Sequence, residues 1–426
     1  MQDSINKQDH RALAKQGAIY RAYGGRPGAN LRRVIEMMGG LPRFVDSEDV
    51  VMIKPNAQWW NQGATNLAAL EALITLIMER PGGFNGEVLL TENCHRGAEP
   101  WSSPISAWAQ PFVRNADLAE TDTLNGLCRN LKDRYGPQFS TCHWLDVQQG
   151  AQKVSGPAEG VGYVYCDGSG GNALISCDNG VRGEQFRATI MTYPVFKSER
   201  GTTVDFKHGI WREGNYTEQP LKFVNFAALN HHSTYCGATS SVKNIFGVVD
   251  LSGGSDPHHN GILTENYYNF HSFAFNKWKK GPAPDALGKA VGAFFRHIRK
   301  PDLNITAAEW IGLSSRTQAP VVRTRAVLAG IDPVALDYHA YKYLLYPNSH
   351  ISCHNPDDRS GPLHHDLTQC ARSCGGVVEE KDMKVESCRL EGERWLADSG
   401  GIIRGKKIWG RQVKDIMKYV YLRYGS

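Results

Sequence analysis

The sequence predicts an α/β protein made of two α/β halves, with largely parallel sheets around a central cleft. Three observations carry this. Short unbroken apolar runs, such as Val50-Val51-Met52-Ile53 and residues 223–229, mark strands buried on both faces. Amphipathic helical stretches alternate with them. The strand–helix–strand spacing over residues 50–90 is that of a βαβ unit, hence parallel and right-handed.

Residues 1–44 read as an N-terminal arm and first helix. The arm is polar and ends in Gly24-Gly25-Arg26-Pro27-Gly28. Asn30 then caps a helix with Leu31, Val34, Ile35 and Met38 on one face, stopped by Gly39-Gly40. Residues 45–235 form the first α/β half. Its first strand ends in Lys54-Pro55-Asn56, Thr65 or Asn66 caps a helix to about residue 79, and the next strand ends in Thr91-Glu92-Asn93. A helix over 117–134 and a strand over 143–147 continue the alternation. Residues 149–222 are expected to be a Gly-rich surface insertion. Its Asp167-Gly168-Ser169-Gly170-Gly171 lacks the Gly-Lys-Ser/Thr and following helix of a phosphate loop.

Residues 236–346 form the second half, with a helix over 285–299 and strands over 303–311 and 326–330. Asp332-Pro333 supplies an N-cap and a first-turn proline for a helix to residue 345. Residues 347–426 are a Cys/His-rich tail and a basic-aromatic C-terminal segment suited to packing against a partner, including a second copy of the chain.

Composition bounds the function. The 426 residues, 41% hydrophobic and 21% charged, exclude a disordered chain, a collagen-like repeat and a small disulfide scaffold. No run of eighteen apolar residues is present, so no membrane span is expected. A net charge of +5 over this length is too thin to argue for nucleic acid. The ten cysteines include no CxxC pair and no closely spaced ferredoxin run, so no iron–sulfur or haem motif is evident. Residues 1–16 lack an apolar core segment, as in a cytoplasmic protein or in an exported one whose signal has been removed.

Ligands of parallel sheets collect at strand carboxyl ends. Lys54, Asn56 and Glu92 fall there and are candidate substrate or cofactor contacts, with Asn66 and Asn244 beside them. Helix capping explains Asn66 equally well. His231, His232, Lys243, His258 and His259 fall within 29 residues, on loops after a buried strand. Imidazole is the commonest transition-metal ligand and a buried lysine can act as base or covalent anchor. His231, His232 and Lys243 are therefore candidate catalytic groups, and His258 and His259 candidate metal ligands. The structural alternative has one His of the first pair holding a backbone carbonyl and Lys243 solvated. Glu309, inside an apolar strand, is the candidate carboxylate that orients a histidine or binds metal. Asp332 reads as an N-cap. In the tail, Cys370 and Cys374 stand four apart on a helix and would face one metal, but the lack of any standard zinc spacing favours a disulfide or structural role for the cysteines.

The segments Lys54-Pro55-Asn56, Thr65-Asn66, His232, Gly237 to Gly247 with Lys243-Asn244, His258 or His259, and Asp332-Pro333-Val334-Ala335-Leu336-Asp337 together resemble the domain-of-unknown-function three-six-two family, over about residues 45–346. The iron–sulfur segment of some relatives is missing, and the 149–222 region and the tail look additional. This resemblance implies a fold more than a reaction. The His–Gly/Ser-rich–Lys–Gly–His order is also similar to the central segment of the lactate racemase family. That similarity implies Lys243 tied to a nickel-pincer nucleotide, His258 or His259 as metal ligand, and His231 or His232 as base. The expected cofactor is thus a transition metal, with a nucleotide-derived metal cofactor as a further option. The expected function is a metal- or cofactor-dependent enzyme, racemase/isomerase-like or oxidoreductase-like, moving a proton or hydride at carbon of a small polar or anionic substrate. The alternative is a non-catalytic protein that holds a metal, cofactor or cluster for delivery or electron transfer.

Overall fold

The computed structural model describes residues 17–94, 107–112, 114–146, 152–180, 186–251, 269–270, 273, 275–276, 281–282 and 285–409. In chain order the main elements are β1 (Ala18–Tyr23), α1 (Pro27–Met37), β2 (Val50–Pro55), α2 (Leu67–Met78), β3 (Glu87–Cys94), α3 (Leu124–Tyr135), β4 (Phe139–Asp146), β5 (Gly162–Tyr165), β6 (Thr192–Lys197), β7 (Thr203–Asp205), β8 (Gly209–Arg212), β9 (Asn215–Tyr216) and β10 (Leu221–Ala228). There follow α4 (Ser241–Asn244), α5 (Ala286–His297), β11 (Leu303–Gly312), β12 (Val321–Gly330), α6 (Pro333–Ala340), α7 (Pro362–Cys374), β13 (Lys384–Glu391), β14 (Arg394–Asp398) and β15 (Lys407–Ile408).

The fold is α/β with one large, mostly parallel central sheet. Ten strands join in the order β14-β13-β1-β12-β11-β10-β2-β3-β4, with β15 on β12. The run β11-β10-β2-β3-β4 is parallel throughout. Strands from both expected halves therefore share one sheet. Their apolar runs explain it: Val50, Val51, Met52 and Ile53 are all at most 1% exposed, because helices cover both faces. One face carries α1, α2 and α3 through Leu31, Val34, Leu73, Ile74 and Leu127. The other carries α5, α6 and α7 through Phe294, Leu336 and Leu367. Each fully buried Leu or Ile contributes about 1.5–3 kcal/mol.

Three expectations are corrected. Part of the N-terminal arm belongs to the sheet: residues 18–23 form β1, inserted between β12 and β13, because Ile19 and Ala22 are apolar enough to lie inside the sheet. The 149–222 region is not a surface insertion. It forms a second, five-stranded antiparallel sheet, β9-β8-β7-β6-β5, whose Tyr163, Val164 and Tyr165 are buried against the main core. Tyr163 Oη donates to the Val248 carbonyl (2.7 Å) and Tyr165 Oη to Asp250, which locks this sheet to the loop after α4. The described part of the tail, residues 347–409, is integral: α7 covers one face and β13 and β14 extend the sheet edge, while most of the basic-aromatic segment lies outside the described residues.

The caps fall nearly where expected. Asn66 Oδ1 accepts from Ala69 N (3.0 Å) to start α2, and Asp332 Oδ1 accepts from Val334 N (3.0 Å) and Ala335 N (3.3 Å) to start α6. Asn30 does not cap α1. That helix begins at Pro27, and Asn30 instead ties the turn down, accepting from Gly25 N and donating to the Arg325 carbonyl.

Candidate functional site

The parallel strands bring their carboxyl ends to one edge, and a buried polar network lies just beneath it. Lys54 Nζ donates to Glu92 Oε2 (2.9 Å), Asn244 Oδ1 (3.0 Å) and the Pro55 carbonyl (3.0 Å). Both charged side chains are fully buried. Burial pulls the Lys54 pKa down and pushes that of Glu92 up, and each charge partly offsets the shift of the other. Asn244 Nδ2 donates to Asn225 Oδ1 (2.8 Å), and Asn225 Nδ2 to Asn304 Oδ1 (2.9 Å) and the Ser241 carbonyl (2.9 Å). The network thus stitches β2, β3, β10, β11 and α4 together.

The Lys243-Asn244 turn and the helix that begins at Asp332 meet here. Asp337, on α6, accepts from the backbone amides of Ser241 and Val242, each at 2.8 Å, and from Tyr341 Oη (3.1 Å). A carboxylate from a distant helix therefore caps the short turn that carries Lys243 and Asn244. Burial lifts its pKa to about 6 against those hydrogen bonds. Both glycines of the segment are sterically required. Gly237 has φ +67°, and a Cβ there would lie 2.5 Å from the Cys353 carbonyl. At Gly247 a Cβ would meet the Glu92 carboxylate.

Above the network lies a half-buried rim. His232 Nδ1 is 3.0 Å from Thr239 Oγ1 and 3.1 Å from an Arg316 guanidinium nitrogen, and that guanidinium stacks on Trp59 at 4.2 Å from the ring centroid. Trp59, His232 and Arg316 follow the carboxyl ends of β2, β10 and β11 respectively. His231 Nδ1 faces His354 Nε2 at 2.8 Å, and His354 Nδ1 faces Ser349 Oγ at 2.7 Å. Burial holds the His354 pKa down at about 3, and burial, then Arg316, lowers that of His231. Asn230 holds the base of the rim, donating to the Gln62 carbonyl (2.7 Å) and accepting from Gly312 N (2.7 Å).

Lys243 turns away from Lys54. Its ammonium lies 3.8 Å from the Phe246 ring centroid, beside a cavity of about 30 Å³ lined by Cys236, Leu287, Leu363 and Asp366 among others. That volume suits a single water rather than a substrate. Burial lowers the Lys243 pKa against the charges of Cys236 and Asp366, and lifts that of Asp366 to about 7.

Glu309 also goes elsewhere. It sits at a β-bulge where β11 and β12 lose register, and Oε1 accepts from Arg323 Nε (2.5 Å). Arg323 in turn reaches Asp117, whose carboxylate accepts from Asn66 Nδ2 (2.8 Å). Asn66 and Glu309 thus belong to one ion-pair group apart from Lys243. Asn56 closes its loop through the backbone, its amide donating to Thr65 Oγ1 (2.8 Å). His258 and His259 lie outside the described residues. Nine cysteines are described, all as free thiols, Cys353, Cys370, Cys374 and Cys388 among them.

Sequence reasoning missed Arg316 and Trp59. Arg316 follows a strand carboxyl end, a signal already used for Lys54 and Glu92, but nothing local pairs it with Trp59. It also read residues 347–426 only as a Cys/His-rich tail and did not join Cys353 and His354 to His231, since the His231–His354 contact spans 123 positions.

No curated protein and no solved structure matches the chain. The similarity to lactate racemases has no support in these comparisons, and the Lys54-Pro55-Asn56 and Thr65-Asn66 segments lie outside the matched region. Residues 188–342, which carry the Lys243-Asn244 turn, its glycines and Asp337, match the family described as Domain of unknown function (DUF362), and the resemblance read from those segments holds there.

Proposed function

We propose that the carboxyl edge of the sheet is the active site of an enzyme that takes a small anionic substrate and moves a proton or hydride at carbon. The observation that carries this reading is the contact between Arg316 and His232 on a half-buried rim. A guanidinium stacked on an indole keeps its planar fork pre-organised for a carboxylate. His232 Nδ1 accepts from that guanidinium, so its proton resides on Nε2, and an imidazole is a group that can exchange a proton with a substrate. The buried Lys54–Glu92–Asn244 network positions the loops and needs no substrate contact. A transition metal, when bound, would polarise the substrate or stabilise its developing charge.

The test is isotopic. The metal-supplemented protein is incubated in D2O with a panel of 2-hydroxy and 2-oxo carboxylates, and label at carbon is read by mass spectrometry. Wash-in of deuterium from D2O marks proton transfer; with C2-deuterated 2-hydroxy acids in H2O, turnover that keeps the deuteron marks hydride transfer. Both should vanish in His232→Ala, and Arg316→Gln should raise KM. Retained metal with neither exchange nor turnover across the panel would overturn this reading in favour of a non-catalytic metal carrier, which the His231, Cys353 and His354 side chains also suit.

A further inference from the structure

We infer that His231, Cys353 and His354 form a binding site for a zinc-class divalent cation, built where the end of β10 meets the chain beyond α6. One donor atom from each lies within 4.8 Å of the others. The set of two imidazoles and one thiol is that of zinc sites and is wrong for magnesium or calcium. Three protein ligands leave a fourth position for water or substrate, as in catalytic rather than purely structural zinc sites.

The two imidazoles are aimed at each other rather than at solvent. At 2.8 Å, His231 Nδ1 and His354 Nε2 share one proton between them. Two nitrogens on one tetrahedral zinc at about 2.05 Å stand about 3.3 Å apart, so the pair must open by only about 0.5 Å. His354 has the outer partner such a ligand requires, since its Nδ1 meets Ser349 Oγ at 2.7 Å and fixes the ring. Cys353 is held by the backbone packed against Gly237, whose missing side chain leaves room for the Cys353 carbonyl. Its thiol meets the Ser233 carbonyl at 3.9 Å. On metal binding the shared proton moves to a far ring nitrogen and the Cys353 thiol loses its proton. One proton is released per metal ion. Because the His–His contact is complete without metal, the apoprotein stays folded. The site stands whether or not the rim is catalytic.

The full chain is stripped with a chelator and titrated with Co2+ alone. One equivalent should bind, with the visible d–d bands of a tetrahedral site and a near-ultraviolet thiolate-to-cobalt band, and Zn2+ should bleach both. Cys353→Ser should lose the near-ultraviolet band while its circular dichroism is unchanged. His231→Ala, at a half-buried position, should weaken binding roughly 100-fold or more, and Ser349→Ala about 10-fold or more. Absence of Co2+ binding in the millimolar range, or wild-type spectra and affinity in both Cys353→Ser and His231→Ala, would overturn the assignment. Metal binding without deuterium exchange would leave this site intact and remove only the catalytic reading.

Discussion

Gly247 lies directly against the carboxylate of Glu92: a Cβ on that glycine would stand 1.8 Å from Oε1 and 2.6 Å from Lys54 Nζ. The glycine is in the ordinary backbone region, so it is close approach rather than φ that demands it. A buried ion pair on β2 and β3 therefore dictates the residue type at a position on another loop. It also explains why the Lys243-Asn244 turn ends in glycine, since Asn244 binds the same lysine.

Gly247→Ala should for this reason be costly. Overpacking alone is worth about 1–3 kcal/mol, and displacing a carboxylate from its buried partner adds to it. Urea unfolding should show a loss of at least about 3 kcal/mol. A variant within about 0.5 kcal/mol of the parent, the range of ordinary surface changes, would show that the pair moves aside freely.

Lys54 and Glu92 should behave as a unit. Lys54→Met leaves an uncompensated buried carboxylate and should cost about 3–5 kcal/mol. The double variant Lys54→Met/Glu92→Leu removes both charges and should recover most of that loss, because apolar replacements of a buried pair are often neutral. Additive losses in the double variant would instead mean that the two residues act through separate contacts, such as Lys54 with Asn244.

The sequence made the strand ends legible because apolar runs and their polar stops are local signals. Lys54, Glu92 and Asp332 were placed correctly at strand ends or a helix start for that reason. Direction was not legible: Lys243 and Asn244 are neighbours, yet Asn244 faces Lys54 while Lys243 faces Phe246. On a helix one residue step separates their headings by about 100°, and only tertiary packing decides which points at the network. Glu309 was misleading because a bulge shifts the register of its strand, and no residue near it announces the bulge. His354 and Cys353 lie in the Cys/His-rich tail, and no local period can reveal their approach to His231. The 149–222 region was taken for a loop because its strands are short and its glycines frequent. Gly201 and Gly214, both at positive φ, sit in the turns between β6 and β7 and between β8 and β9.

Lys243 yields a stability prediction of its own. Its amine is half-buried beside Phe246 with a lowered pKa, so the unfolded chain binds its proton more tightly than the folded one. Stability should therefore rise with pH from the lowered folded-state pKa up to the ordinary lysine value of 10.5. Lys243→Met keeps the stem packing and lacks the charge, so it should unfold at equal or higher urea and lose that rise. Lys243→Arg must fit a planar fork beside a cavity of about 30 Å³ and should be the less stable of the two. The reverse order would show that the ammonium is held by a favourable contact rather than tolerated.

Glu309 gives the opposite pH dependence. Burial raises its carboxyl from 4.5 to about 7, with the Arg323 charge only partly offsetting the shift. The folded state then holds the proton more tightly than the unfolded chain between those values, so stability falls as pH rises through that window. For a side chain only 1% exposed, the full effect is roughly 3 kcal/mol. Glu309→Gln keeps the shape, leaves Arg323 its contact with Asp117 and cannot titrate. The parent should therefore lose stability between about pH 5 and pH 8 relative to this variant, read as converging or crossing urea midpoints. Parallel midpoints across that range would mean that Arg323 keeps the carboxylate ionised throughout, making the pair an ordinary salt bridge at the bulge.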